Sequence, residues 1–172
     1  SRVSEGCRNC YAEALAARFS GGTGPFLFFV RRTKDGPRWT GRVELIEEKL
    51  TEPLRRRQWA EKFRAKHGRR PRMFVNSMSD LFHEALPDEA IDRVFAVMAL
   101  CPWIDFQVLT KRSERMLKYF ADLDLRHEAI ALEAVEIEAG AKPSGLLDSA
   151  FRLPLPNVWL GVSVEDQQTA DK

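Results

Sequence analysis

Long hydrophobic runs are missing from this chain of 172 residues. None approaches the ~20 apolar residues that a helix needs to span a bilayer. The opening SRVSEGCRNC has no apolar signal-peptide core, and a cytoplasmic location is the default expectation. Charge of one sign is also missing. Lys and Arg number 27 against 25 Asp and Glu, a net +2, which is too small an excess to argue for a nucleic-acid or membrane partner. Cysteine is sparse: Cys7, Cys10 and Cys101 are the only three. An odd count with one close pair speaks against a secreted disulfide framework. It suits a reduced compartment with a metal-binding or redox loop. There is no internal repeat and no low-complexity tract.

What is present fits a folded domain. Hydrophobic residues make up 44% and charged residues 30%, ordinary values for a globular protein with a sizeable core. Both ends read as cut. Ser1 opens directly into a cysteine loop, and Glu165 to Lys172 reads as a helix just beginning, with acidic residues at its start. The expectation is a single incomplete α/β domain over 1–172, with a variable insertion at 122–153.

Along the chain, residues 10–19 are rich in helix formers, with Leu15 and Phe19 on one face. Residues 20–25 break that helix. Phe26 to Val30 is an apolar run of unassigned structure before a charged Gly/Pro turn. Residues 42–47 (RVELIE) read as a short strand. Residues 51–67 read as a helix capped by Thr51, with Pro53 in its first turn and Leu54, Trp59 and Phe63 inward. Residues 73–78 are an apolar strand. Residues 87–100 place Ile91, Val94, Phe95 and Met98 on one helical face, and Pro102 ends that helix. Residues 104–110 are a strand, 112–121 a helix, and 122–156 an acidic helical stretch followed by AGAKPSG. Residues 157–164 are a strand rich in β-branched and aromatic residues. Strands alternating with helices predict βαβ units and a parallel sheet, either open or closed into a barrel.

In parallel α/β folds, ligands bind at the carboxyl ends of the strands. Here each such end carries polar residues. Asn76, Ser77, Ser79 and Asp80 follow one strand, Thr110, Lys111 and Arg112 the next, and Ser163, Glu165 and Asp166 the last. Taken singly, each is most simply a helix cap or turn residue. Taken as three clusters at equivalent ends, they predict one shared pocket.

Cys7-Arg8-Asn9-Cys10 is a C-x-x-C leading into a helix. Two such thiolates can chelate zinc, although a structural zinc needs four ligands and there is no second C-x-x-C. His67, His83 and His127 are scattered singly and read as surface or core residues. A thioredoxin-type pair is another reading. An iron–sulfur cluster is a third, and it needs more thiolates than this chain holds. Spacing alone leaves the three open. Cys101, before Pro102, reads as a buried structural thiol.

Successive blocks of the chain carry a resemblance: VSEGCRNCYAEALAARF, PRWTGRV, EPLRRR, RPRMFVNSMSDLFHEALPDE, FQVLTKRSERM and LPNVWLGVSVEDQ. Together they resemble the phage- and mobile-element-associated family of three-cysteine-motif proteins, a domain of unknown function similar to radical SAM proteins. The resemblance implies a partial (β/α) barrel with parallel strands. It also implies a further cysteine one place before Ser1, completing a C-x6-C-x2-C loop. Three thiolates would hold a [4Fe–4S] cluster and leave one iron open to S-adenosylmethionine, whose reductive cleavage gives a 5′-deoxyadenosyl radical. By this resemblance Cys7 and Cys10 are metal ligands. Tyr11, Asn76, Ser77, Ser79, Thr110 and Ser163 are cofactor-binding residues, and Asp80, Lys111, Arg112 and Glu165 are catalytic. The loop is longer than the C-x3-C-x2-C of most radical SAM enzymes, so use of adenosylmethionine rests on similarity. A protein encoded nearby is a candidate partner.

The alternative expectation is a nucleic-acid-binding phage module with a zinc- or thiol-based cysteine loop and no catalysis. Residues 55–72 hold nine basic residues against one acid, Glu61. Arg55, Arg56, Arg57, Arg69 and Arg70 are the candidate phosphate contacts. The plainer reading is a solvated helix face, and the sequence is not read as offering a stacking platform there.

Overall fold

The computed structural model describes residues 10–22, 24, 26–140, 152–164 and 167–170. The chain divides into two compact units, Ser1–Glu44 with Val164–Lys172, and Leu45–Ser163.

In the first unit, helix α1 (Tyr11–Arg18) begins directly after Cys10. Its buried residues are Ala12, Glu13 and Ala16, while Leu15 is half-buried and Phe19 is exposed. The reason is its neighbour. Residues 30–39 form an antiparallel hairpin, β1 (Val30–Thr33) and β2 (Gly36–Trp39), and α1 packs on it. Small alanines allow that close approach. Glu13 is buried there because its carboxylate accepts the Trp39 backbone N–H at 3.1 Å and lies 3.6 Å from the Arg38 guanidinium. The charged Gly/Pro turn expected after Val30 is thus a strand pair, closed by Lys34 and Asp35, with Gly36 at φ +98°. The four-residue helix α7 (Gln167–Ala170) also belongs to this unit.

The second unit opens with α2 (Glu47–Leu50), a 3-10 turn (Glu52–Arg56) and α3 (Arg57–His67). The strand expected at 42–47 does not form. Residues 41–46 have no regular structure, and Glu47 and Glu48 open a helix, where acidic side chains meet the positive end of the dipole. The helix expected from Thr51 is divided: Pro53 lies in the 3-10 turn and the α-helix starts at Arg57. Gly68 ends α3 in the left-handed region, φ +68°, a conformation that favours glycine.

Three parallel strands then form one sheet in the order β3 (Arg72–Val75), β4 (Asp105–Thr110), β5 (Val158–Val162). The register pairs Met73 with Phe106 and Phe106 with Val158. Parallel neighbours need long crossovers. These are α4 (Asp88–Ala99) between β3 and β4, and α5 (Ser113–Tyr119) with α6 (Leu123–Gly140) between β4 and β5. The fold class is mixed α/β, and among the described residues the sheet does not close into a barrel.

One sheet face is covered along β4. Phe106, Val108 and Thr110 are buried and alternate with outward residues along β4. With Ile91, Phe95 and Met98 of α4 and Ile130 and Ala134 of α6, they form the core. Tyr119 is buried beside Phe82 and Phe95. The opposite sheet face carries Phe74, Leu109 and Trp159, each exposed by 45–48%. Among the described residues nothing buries this face at those three positions, whereas all-parallel sheets are usually covered on both sides. No helix among the described residues is long and apolar enough to cross a membrane.

Candidate functional site

The carboxyl ends of β3, β4 and β5 lie along one edge of the sheet, and most of the expected site residues lie there. β3 ends at Val75, and Asn76 turns the chain in the left-handed region at φ +58°. Asn tolerates that region better than most residues. The turn is closed by the Ser79 N–H donating to the Asn76 carbonyl at 3.1 Å. It delivers Asp80 to the end of β4.

Asp80 is an acceptor hub. Its Oδ1 accepts from Thr110 Oγ1 at 2.7 Å and from the Phe82 N–H at 3.0 Å. Its Oδ2 accepts from the Lys111 N–H at 3.2 Å and from Arg112 Nη1 at 2.8 Å. A carboxylate has about four lone-pair positions, and all are engaged. In this arrangement Asp80 ties the β3 and β4 ends together.

Arg112 is 7% exposed. Its Nε lies 2.9 Å from both carboxylate oxygens of Glu84, so its charge is matched by two acids. Thr110 Oγ1, while donating to Asp80, accepts the Arg112 N–H at 2.9 Å. His83 lies beside Glu84, its Nδ1 3.9 Å from Oε2. Burial, then the Arg112 guanidinium, lowers its pKa, and its Nδ1 accepts the Ala85 N–H at 3.1 Å, as a neutral imidazole does. Ser163 joins from β5, its N–H donating to the Thr110 carbonyl at 2.8 Å. Ser77 and Ser79 are exposed, and Lys111 is half-buried at the same edge.

The structure thus brings Asn76, Ser77, Ser79, Asp80, Thr110, Lys111, Arg112 and Ser163 to one edge of the second unit. Tyr11 and Cys10 belong to the first unit, where Tyr11 is exposed and Cys10 is a free, half-buried thiol at the head of α1. Cys7, Glu165 and Asp166 lie outside the described residues. Cys101 is fully buried, and desolvation pushes its thiol up to about 12. Among the described residues no three His, Cys, Asp or Glu side chains form a metal-binding group.

Sequence reasoning missed Glu84 and Asn157. Glu84 lies four residues beyond Asp80 in the same block, and that spacing was the available signal. Asn157 read only as the start of a strand. It is buried, and its Nδ2 donates to the carbonyls of Met98, Cys101 and Ile104 at 2.9–3.2 Å. It thereby fixes β5 against the α4–β4 connection. The helix at 51–67 was also misread. Trp59 is 46% exposed rather than inward, because only Ala60 of α3 is buried.

A family model covers residues 1–172: that of a protein family of unknown function, DUF5131. The chain belongs to this family. No curated protein and no solved structure matches it. Membership of DUF5131 brings no reaction with it, so chemistry has to be argued from the residues.

Proposed function

We propose that the protein is an iron–sulfur enzyme of the radical SAM type, of phage or mobile-element origin, whose substrate is handled at the carboxyl edge of the parallel sheet. The convergence of polar side chains from three strand ends on that edge carries the reading. In parallel α/β folds this is where ligands are held. The uncovered sheet face beside it, with Phe74, Leu109 and Trp159, is what the inside of an open barrel would present.

The thiols fit a cluster-binding loop in part. Cys101 is excluded by burial, which leaves the C-x-x-C pair. Cys10 is a free, half-buried thiol at the head of α1. Cys7 and a cysteine ahead of Ser1 would complete a three-thiolate set. When bound, such a cluster supplies the electron for cleaving adenosylmethionine. The chain's own residues orient and shield. Asp80 fixes the Arg112 guanidinium and the Lys111 backbone, and Ser77, Ser79 and Asn76 offer hydroxyl and amide groups to a polar ligand. A site of this kind works by positioning and by excluding water.

Anaerobic reconstitution of the full-length protein with iron and sulfide tests the proposal. The expected product is a brown protein whose iron is lost in Cys10→Ser and kept in Cys101→Ser. A colourless protein that binds no iron overturns it.

A further inference from the structure

We propose that α3 and its basic flank form a docking surface for single-stranded nucleic acid, with Trp59 as the base-stacking ring and Lys62, Lys66 and Arg69 as phosphate contacts. The proposal rests on the second unit alone and is independent of the iron–sulfur reading.

The positive charge is local. Residues 55–72 hold nine basic residues and one acid, leaving 18 basic and 24 acidic residues in the rest of the chain. A chain that is net acidic everywhere else and strongly basic in one segment concentrates a polyanion there. The structure then separates engaged cations from available ones. Arg56 pairs with Glu52, Arg57 with Glu61, and Arg70 with Asp105. Those three, expected to contact phosphate, are largely neutralised. Among the described residues Lys62, Arg64 and Lys66 make no ion pair, and all three are exposed on α3.

Aromatic rings lie on the same helix. Trp59, Phe63 and His67 recur every four residues, with ring centroids 5.8 Å and 4.4 Å apart. Arg69 lies over Phe63 at 5.2 Å. Lys62 and Lys66 are three and seven residues beyond Trp59, so they flank its half-exposed indole on one helical face. Cations beside an exposed ring are what a single strand needs, phosphate to ammonium and base to indole. A duplex, with its bases paired, would use the cations and leave the ring idle. A membrane-surface helix would need a broad apolar face, and α3 shows solvent one aromatic ring rather than such a face.

Fluorescence anisotropy of the full chain with labelled oligo-dT, oligo-rU and a duplex, across a salt series, tests this surface. Trp59→Ala is expected to weaken single-strand binding about tenfold and to leave duplex binding unchanged, with Trp59→Phe recovering most of the loss. The double change Lys62→Gln, Lys66→Gln should reduce the log–log salt slope by about 1.4, at about 0.7 per phosphate contact. Lys118→Gln, on the exposed face of α5, is the remote control and should change nothing. The proposal fails if no oligonucleotide binds at low salt, or if Trp59→Ala binds single strands as tightly as the parent. Binding to phosphatidylserine vesicles without oligonucleotide binding would also overturn it, reassigning the surface to a membrane.

Discussion

Arg112 Nη1 donates to Asp80 Oδ2 at 2.8 Å, with both side chains mostly withdrawn from solvent. The pair links residues 32 apart in sequence and joins the ends of two strands. Removing Asp80 leaves the buried Arg112 with only the exposed Glu84 as a partner, and breaking a buried pair costs about 3–5 kcal/mol. Asp80→Ala should therefore destabilise the protein by that order in urea unfolding. Glu84, two-thirds exposed, is Arg112's other partner, and Glu84→Gln should cost within about 1 kcal/mol. Equal losses from the two changes would show that Asp80 is not the organising group of this edge.

Asn157 makes a second, independent demand on the same sheet. Its side-chain amide meets three backbone carbonyls and its own carbonyl accepts the Phe106 N–H at 2.7 Å. Asn157→Ala keeps the backbone bond and removes the side-chain donor to three buried carbonyls, of which those of Met98 and Cys101 still accept the Cys101 and Ile104 N–H groups, with an expected loss of about 1–3 kcal/mol. Asn157→Asp should lose at least as much, because a carboxylate cannot donate to carbonyls. A neutral result for Asn157→Ala in chemical unfolding would mean that water replaces the amide.

Much of the second unit was legible in the sequence, for a physical reason. β4 alternates buried and outward residues, and α4 places Ile91, Phe95 and Met98 on one buried stripe, so burial writes its period directly into the residue pattern. The order of strands and crossover helices then constrains the sheet to be parallel. The first unit was not legible in this way. β1 and β2 are four residues each, carry Arg31, Arg32 and Arg38, and are held by pairing to each other and by Glu13 rather than by an apolar face. The exposure of Trp59 was also hidden, since a helical period tells which residues share a face and not whether anything covers it. At the candidate edge the residue set was readable from the strand ends. That Asp80 would be saturated by four donors was not, because two of those donors are backbone N–H groups.

Asp92 gives a prediction with a sign. It is buried on α4, accepts from Tyr119 Oη at 2.5 Å and from Arg126 Nη1 at 3.0 Å, and has Asp88 nearby. Burial raises its pKa above the ordinary 3.8, with the Tyr119 hydrogen bond and Arg126 opposing. An acid with a raised folded value contributes stability that is fully present below its unfolded value and is lost as pH rises through the folded one. The stability difference between the parent and Asp92→Asn should therefore fall as pH climbs above 3.8. Urea unfolding of both proteins through the acid range checks this. A difference that grows with pH would mean that Arg126 outweighs burial.

Cys10 and Cys101 should differ sharply in reactivity. The thiolate is the reactive form, and Cys101 is both fully buried and pushed up to about 12 by desolvation. Cys10 is free and half-buried at a helix head. Iodoacetamide at mildly alkaline pH should alkylate Cys10 in the folded, metal-free protein and leave Cys101 unmodified until denaturant is added, as read by peptide mass spectrometry. The same experiment on reconstituted protein bears on the proposed cluster, since a ligated sulfur is protected while the buried one stays as it was. Alkylation of Cys101 in the folded state at a rate matching that of Cys10 would show that the core beneath the α4–β4 connection opens readily. The Asn157 carbonyl clamp, which includes the Cys101 carbonyl, would then be far weaker than its geometry implies.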